Sequence, residues 1–190
     1  MDPFSLFATW FREAAAAGQP QPEAMALATA AADGSPSVRM VLLKGWSERG
    51  FEFFSNHESR KGAELAENPR AAITLYWSLT RHQVRAFGPV TRLSRDECSA
   101  YWSTRPRESQ AAARASAQSR PIPSREALEA AQTAELEAYR DRAIPIPGHW
   151  GGYLLRPDWL EFWESRPDRL HDRRLFTRTG SGWTEELLAP

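Results

Sequence analysis

The sequence predicts a mainly β chain with helices attached, an α+β fold class in which antiparallel strands form a barrel. Three observations predict it. Short apolar runs bounded by turn residues outnumber stretches with helical spacing. Those runs follow one another through short turns, as antiparallel neighbours do, and not through helices as in a doubly wound sheet. No Gly-x-Gly-x-x-Gly follows a strand, so a nucleotide held in the dinucleotide-fold manner is excluded.

The elements are read in order. Leu6 to Ala17 places Leu6, Phe7, Trp10 and Phe11 on one helical face and stops at Gly18 and two prolines. Met25 to Ala32 and Ser37 to Lys44 read as strands joined at Asp33-Gly34-Ser35-Pro36, and Glu48-Arg49-Gly50 turns the chain into Phe51–Phe54, a three-strand meander. Ser59 to Asn68 reads as a short helix with Ala63, Leu65 and Ala66 inside. Arg70 to Ser78 and Gln83 to Leu93 are strands. Ser94-Arg95-Asp96-Glu97 has the form of a capping box for a helix to Arg105, where Pro106 breaks it. Glu108 to Ser119 is Ala-rich and helical in composition. Ser124 caps a longer helix to Arg142, between the proline links 120–124 and 144–147. Trp150–Leu155, Arg169–Thr179 and Trp183–Leu188 close the chain as strands, with Gly180-Ser181-Gly182 as a turn.

Composition narrows the function classes. The 190 residues fit a single domain, 1–190. Twenty-four basic residues balance twenty-four acidic ones, so a general polyanion partner such as nucleic acid is disfavoured. No apolar run approaches the roughly 20 residues of a membrane helix, and no signal peptide is visible, which reads as a cytoplasmic protein. The one cysteine, Cys98, falls in a helix and reads as a packing residue. Eight Trp and nine Phe fit a core, a dimer interface or a pocket for a flat ligand, and composition does not choose among these. The four histidines are scattered and the cysteine has no mate, so no metal site is expected, and no Gly-x-Ser-x-Gly elbow offers a hydrolase nucleophile.

Four constellations can carry chemistry. On a strand, Arg39, Val41 and Leu43 share one face and Met40, Leu42 and Lys44 the other, so two cations bracket an apolar strand; they grip two anions or are ordinary strand-end charges. Ser55-Asn56 and Ser59-Arg60-Lys61 put a hydroxyl, a guanidinium and an ammonium at a helix N-terminus, a phosphate site or a solvated cap. Tyr101 and Arg105 are four apart on a helix, with Arg107 and Ser109 beyond Pro106, and the alternative is a charged helix end. On a strand, Arg169, His171 and Arg173 would share a face, a poor core arrangement without an anionic partner.

These segments together resemble the pyridoxamine 5′-phosphate oxidase family. The resemblance rests on Arg-Met-Val-Leu-Leu-Lys (39–44), Phe-Phe-Ser-Asn (53–56), Ser-Arg-Lys (59–61), Arg-His-Gln-Val-Arg (81–85), Ser-Thr-Arg-Pro-Arg-Glu-Ser-Gln (103–110), Gln-Ser (118–119), Trp-Gly-Gly (150–152), Glu-Phe-Trp (161–163) and Arg-Leu-His-Asp-Arg (169–173), in the family's order across nearly the whole chain. It implies a split β-barrel that binds FMN, as a homodimer with FMN at the interface. It implies cofactor contacts from Arg39, Lys44, Phe54, Ser55, Arg60, Lys61, Gln83, Gln118, Ser119, Trp163 and Arg173, with backbone help from Met40, Val41, Leu42 and Leu43. The substrate phosphate would be clamped by Lys44, Tyr101, Arg105 and Ser109, and the pyridine ring held by the catalytic pair Arg169 and His171. The implied reaction oxidises pyridoxamine or pyridoxine 5′-phosphate to pyridoxal 5′-phosphate, with hydride transfer from C4′ to flavin N5 and reoxidation by O₂.

Three departures accompany the resemblance. Family members often carry an N-terminal extension that helps cover the substrate, whereas this chain starts almost at its first helix. Glu164 stands where Gln is common, and Leu187 stands where Arg usually precedes the final Leu-Ala-Pro. Two alternatives stay open: an oxidase of this fold acting on another substrate, such as a phenazine precursor, and a flavin- or B6-binding carrier without turnover.

Overall fold

The computed structural model describes residues 2–190, among which five helices and ten strands are formed. Helix α1 (Pro3–Ala16) starts three residues earlier than the apolar spacing suggests. The Asp2 carboxylate accepts from the N–H groups of Phe4 and Ser5, and Pro3 fits the first turn, so the cap sets the start. The helix buries Phe4, Phe7, Trp10 and Ala14.

β1 (Ala24–Ala30) and β2 (Pro36–Leu42) form the expected hairpin, but the meander ends there. β3 (Gly45–Ser47), missed in the sequence, pairs with β4 (Gly50–Asn56), and β4 then pairs with β7 (Trp150–Leu155). The reason is burial. Phe51, Phe53 and Ser55 share one face of β4 and are buried, so the strand lines the core, where β7 pairs along nearly its whole length and β3 along its first half.

Helix α2 (Arg60–Glu67) is capped by Ser59 as expected, but its buried side is different. Lys61, Gly62, Glu64 and Leu65 are inside, and Ala63 and Ala66 are exposed. Polar burial here is driven by specific partners described below. β5 (Arg70–Trp77) and β6 (His82–Arg92) form a hairpin with the expected limits to within a residue. β6 is the strand that splits the barrel. His82–Phe87 pairs with β8 (Trp159–Glu164), and Val90–Arg92 pairs with β7. The change falls at Gly88, where a Cβ would lie 2.1 Å from the carbonyl oxygen of Arg156, so only glycine admits the crossing backbone.

β8 was not expected as a strand, because only Arg156-Pro157-Asp158 separates it from β7. β9 (Asp172–Thr179) and β10 (Gly182–Leu187) complete the order β10-β9-β8-β6-β5-β1-β2. All pairings are antiparallel. The core lies between this curled sheet, the β3-β4-β7 unit and α1, where Phe7 meets Phe51, Trp46 and Trp77 at ring-centroid distances of 5.0, 5.1 and 5.9 Å. Much of the aromatic content is therefore core.

α3 (Arg95–Ser103) has the full capping box of Ser94 and Glu97, and Cys98 is buried on it. It ends before Arg105. α4 (Arg107–Ala115) is shorter than the Ala-rich stretch, and α5 (Arg125–Ala138) stops four residues before Arg142 and buries no residue fully. Among the described residues no helix is long and apolar enough to cross a membrane.

Candidate active site

A cleft of ≈ 480 Å³ opens between β2, β4, α2 and the α3–α4 corner. Its wall includes Met40, Lys44, Ser55, Lys61, Arg105 and Gln118, with Val41, Leu42, Phe54, Tyr101 and Ser109 beside them. A second cavity of ≈ 380 Å³ shares Phe54, Ser55, Arg105, Ser109 and Gln118 with it, so the two are continuous. Segments far apart in sequence thus converge as the motifs imply.

Lys61 anchors the floor. It is only 7% exposed, and its Nζ donates to Ser55 Oγ and Gln118 Oε1, both at 3.0 Å, and to Ser59 Oγ at 3.3 Å. Every partner is neutral. Burial, then repulsion by Arg39, pushes its pKa down, with Glu64 opposing. A buried ammonium without a paired anion is costly, so this arrangement favours a ligand that brings one.

Arg105 stands above it. Its Nη2 donates to the carbonyl oxygen of Ser109 at 3.0 Å, and burial pushes its pKa down, with Tyr101 opposing. The expected shared helical face of Tyr101 and Arg105 is corrected: Arg105 lies past the Thr104 cap, yet both reach the cleft because the chain turns at Pro106. Tyr101 stacks on Phe54 at 4.1 Å and 26°. Lys44 falls just beyond β2 rather than on it. Among the described residues, Lys44, Lys61 and Arg105 make no ion pair with a carboxylate.

Arg39 and Arg60 are placed differently. Both close on Glu64, which is 5% exposed: Arg39 Nη2 at 3.0 Å and Arg60 Nε at 2.9 Å. Thr29 and Ser37 also donate to that carboxylate. Burial alone would raise the Glu64 pKa, but the hydrogen bonds from Ser37, Thr29, Arg60 and Arg39 outweigh it and hold it at about 2. Sequence reading missed Glu64, since a glutamate in a short helix looks like ordinary solvated surface. Arg39 and Leu43 face inward and Met40, Leu42 and Lys44 outward, as the alternation predicts.

The remaining expected residues form a second group, outside this cleft. Gln83 on β6, Trp163 on β8 and Arg173 on β9 occupy one cross-strand row. In the adjacent row Glu161, 3% exposed, takes Arg85 and, at 2.8 Å, Arg173 Nε. Burial would raise the Glu161 pKa, and the two arginines outweigh it and lower it.

The single-strand placement of Arg169, His171 and Arg173 is corrected. β9 starts at Asp172, and Arg169 sits in a turn with φ +68°. Arg166 pins this turn, pairing with Asp172 and giving its N–H to His171 Nδ1 at 3.1 Å. A neutral His171 therefore carries its proton on Nε2. The ring lies 4.7 Å from that of Trp163, which brings the loop beside the row. Ser119 is also in the left-handed region, at φ +71°, in the turn after α4.

Glu164 and Leu187, the two departures from the family pattern, line a separate ≈ 290 Å³ cavity with Trp10, Phe162, Asp172 and Arg174. Neither lines the cleft. Among the described residues no group of His, Cys, Asp and Glu could hold a metal.

Comparison with known proteins agrees with this geometry. Residues 11–136 match the family model described as pyridoxamine 5′-phosphate oxidase, and residues 150–190 match the pyridoxine 5′-phosphate oxidase C-terminal dimerisation region. The chain is 52% identical over 192 residues to a pyridoxine/pyridoxamine 5′-phosphate oxidase of Burkholderia cenocepacia, covering 100% of this chain and 89% of that protein. It is 50% identical over 190 residues to the protein of that name from Rubrobacter xylanophilus, covering 100% and 87%. Among solved structures it is similar to PhzG from Burkholderia lata in complex with tetrahydrophenazine-1-carboxylic acid, with TM-score 0.94, 38% identity and coverage of 100% and 93%. An FMN-binding protein of Nostoc punctiforme shares the fold at TM-score 0.79 and 21% identity. By its sequence, its split antiparallel barrel and its cation-lined cleft, the chain belongs to the pyridoxamine 5′-phosphate oxidase family.

Proposed function

We propose that the protein is an FMN-dependent oxidase that converts pyridoxamine or pyridoxine 5′-phosphate to pyridoxal 5′-phosphate with O₂ as acceptor. The observation that carries this reading is the cleft holding Lys44, Lys61 and Arg105 with no carboxylate partner among the described residues. Three such cations fit two phosphates, one on the cofactor and one on the substrate.

The residues present fit FMN. Lys61, Ser55 and Gln118 form a preassembled anion cradle at the floor, with Ser119 next in the chain after Gln118 and residues 40–42 along one wall. Arg39 and Arg60, set on Glu64, add positive potential next to it. Lys44, Tyr101, Arg105 and Ser109 then serve the substrate phosphate at the other end. When bound, FMN supplies a two-electron acceptor that takes a hydride from the substrate C4′ and passes the electrons to O₂. The chain's own part is orientation and electrostatics. Arg169 and the Nε2–H of His171 are suited to hold the pyridine ring, and Arg169 also favours negative charge developing nearby.

We further propose that a second copy completes each site. Met40 in the cleft and Glu161 beside Arg173 lie in one register row of one sheet, on β2 and β8. Four strand spacings separate them, about 19 Å along the sheet at roughly 4.8 Å each. The sheet face between them is not closed by its own chain: Val38 and Met40 are 69% and 64% exposed, and Tyr76 is exposed as well. A two-fold partner laid on this face would bring its Gln83-Trp163-Arg173 row and its Arg169-His171 turn toward the first copy's cleft. The match of residues 150–190 to a dimerisation region supports this arrangement.

The similarity to PhzG speaks for the fold. An anionic substrate is favoured here by Arg105 and Lys44, and a phosphate over a carboxylate by the hydroxyls of Tyr101 and Ser109 beside them, which add donors for a third oxygen. The test is an aerobic assay of the FMN-loaded protein with pyridoxamine 5′-phosphate, following O₂ uptake and aldehyde formation. Turnover is expected, with kcat/KM for pyridoxamine, which lacks the phosphate, lower by at least about a hundredfold, as loss of a charged hydrogen-bond set implies. Equal rates with and without the phosphate would refute the assignment.

A further inference from the structure

Arg105 is held differently from Arg39, Arg60, Arg85 and Arg173. Arg39 and Arg60 close on Glu64, and Arg85 and Arg173 close on Glu161, so each shares its charge with a buried carboxylate. Arg105 closes on indoles. Its guanidinium carbon lies 4.8 Å from the ring centroid of Trp150 and 5.3 Å from that of Trp102. An indole face attracts a cation through its quadrupole. It fixes the plane of the guanidinium without neutralising it, and it leaves the N–H edge to donate elsewhere. A carboxylate in the same place would compete directly with a phosphate.

The platform is itself rigid. Trp150 is buried and meets Trp102 edge-on, with centroids 4.8 Å apart at 65°. Trp102 is tied down by its Nε1–H, which donates to the carbonyl oxygen of Ile144 at 2.8 Å. Trp150 also stacks with Phe54 at 5.3 Å and 15°. The platform also explains why a tryptophan opens the Trp-Gly-Gly segment, for which the cleft chemistry gives no direct role.

We propose that Trp150, braced by Trp102, is a positioning residue for phosphate recognition: its indole face orients Arg105 toward the substrate phosphate while leaving the guanidinium charge unspent. The proposal rests on reading the cleft as the site of a phosphorylated B6 substrate. The test uses FMN-loaded enzyme with pyridoxamine 5′-phosphate and compares Trp150→Phe, Trp150→Leu, Arg105→Ala and the double variant Trp150→Leu/Arg105→Ala. KM is expected to rise up to about tenfold in Trp150→Leu and less in Trp150→Phe, following the strength of the cation–π contact, with a much smaller change in kcat. In the Arg105→Ala background, Trp150→Leu should add nothing to KM. Effects that multiply in the double variant, or a kcat that falls as much as KM rises, would overturn the positioning role. If Trp150→Leu does not fold, Trp150→Phe carries the test: an unchanged KM in it, alongside a large Arg105→Ala effect, overturns the proposal. An Arg105→Ala enzyme with unchanged KM would instead overturn the substrate-phosphate reading beneath it.

Discussion

The ammonium of Lys61, at the start of α2, donates to Oε1 of Gln118, in the turn after α4, over 3.0 Å. The contact joins two segments 57 residues apart at the cleft floor, and neither partner carries a negative charge. Lys61→Met should therefore weaken FMN binding roughly ten- to hundredfold, the worth of a charged hydrogen-bonding group, measured by quenching of flavin fluorescence. The apoprotein should be no less stable thermally, because the substitution removes a buried charge. A less stable apoprotein with unchanged FMN affinity would mean that Lys61 is a structural residue only.

Glu64 ties α2 to β1 and β2 through Arg39, Thr29 and Ser37. Its pKa in the folded protein, about 2, lies below the ordinary value of 4.5. The folded state thus favours the carboxylate, and the stability it contributes is present above pH ~4.5 and is lost as pH falls toward 2. Glu64→Gln should destabilise the protein at pH 7 by about 1–3 kcal/mol, with the gap to wild type narrowing below pH 4.5 in denaturant titrations. A gap independent of pH would contradict the ion-pair account.

Val38 stands on the open sheet face and lines neither cavity of the site. Val38→Asp should shift the protein from dimer to monomer in sedimentation and lower FMN affinity in step, since a charge in an apolar interface costs a few kcal/mol. A monomeric variant that keeps full FMN affinity would show that the site is complete in one chain.

Gly152 backs the aromatic wall. A Cβ there would lie 2.5 Å from Leu93 Cδ1 and 2.7 Å from Phe54 Cε1, and both side chains are packed. Gly152→Ala should cost about 1–3 kcal/mol in thermal or denaturant unfolding. It should also raise KM by displacing Phe54 from Tyr101. A fully stable variant would mean that the wall yields more than its packing suggests.

Local signals were the legible ones. Ser59, Ser94 and Ser124 cap helices as their sequence context implies, and the alternation along 39–44 assigns each side chain to the correct face. Features set by distant backbone were not legible. The division of β6 depends on Arg156 crossing at Gly88, and β8 is bound by its partners rather than by long turns. The motifs picked out residues that line one cleft, among them Lys44, Lys61, Tyr101 and Arg105, but strand periodicity misplaced Arg169 and His171, because a turn anchored by Arg166 and Asp172 precedes β9. The buried glutamates Glu64 and Glu161 needed the folded chain, since a carboxylate is recognised as structural only when its arginines are seen around it.

Mixing the FMN-loaded protein with pyridoxine 5′-phosphate in the absence of oxygen, while following flavin absorbance, reads directly whether this chain oxidises a phosphorylated B6 substrate. Bleaching of the oxidised flavin band is expected, with colour restored when air is admitted. A yellow protein whose absorbance does not change, at substrate concentrations that saturate binding, would contradict the proposed oxidation.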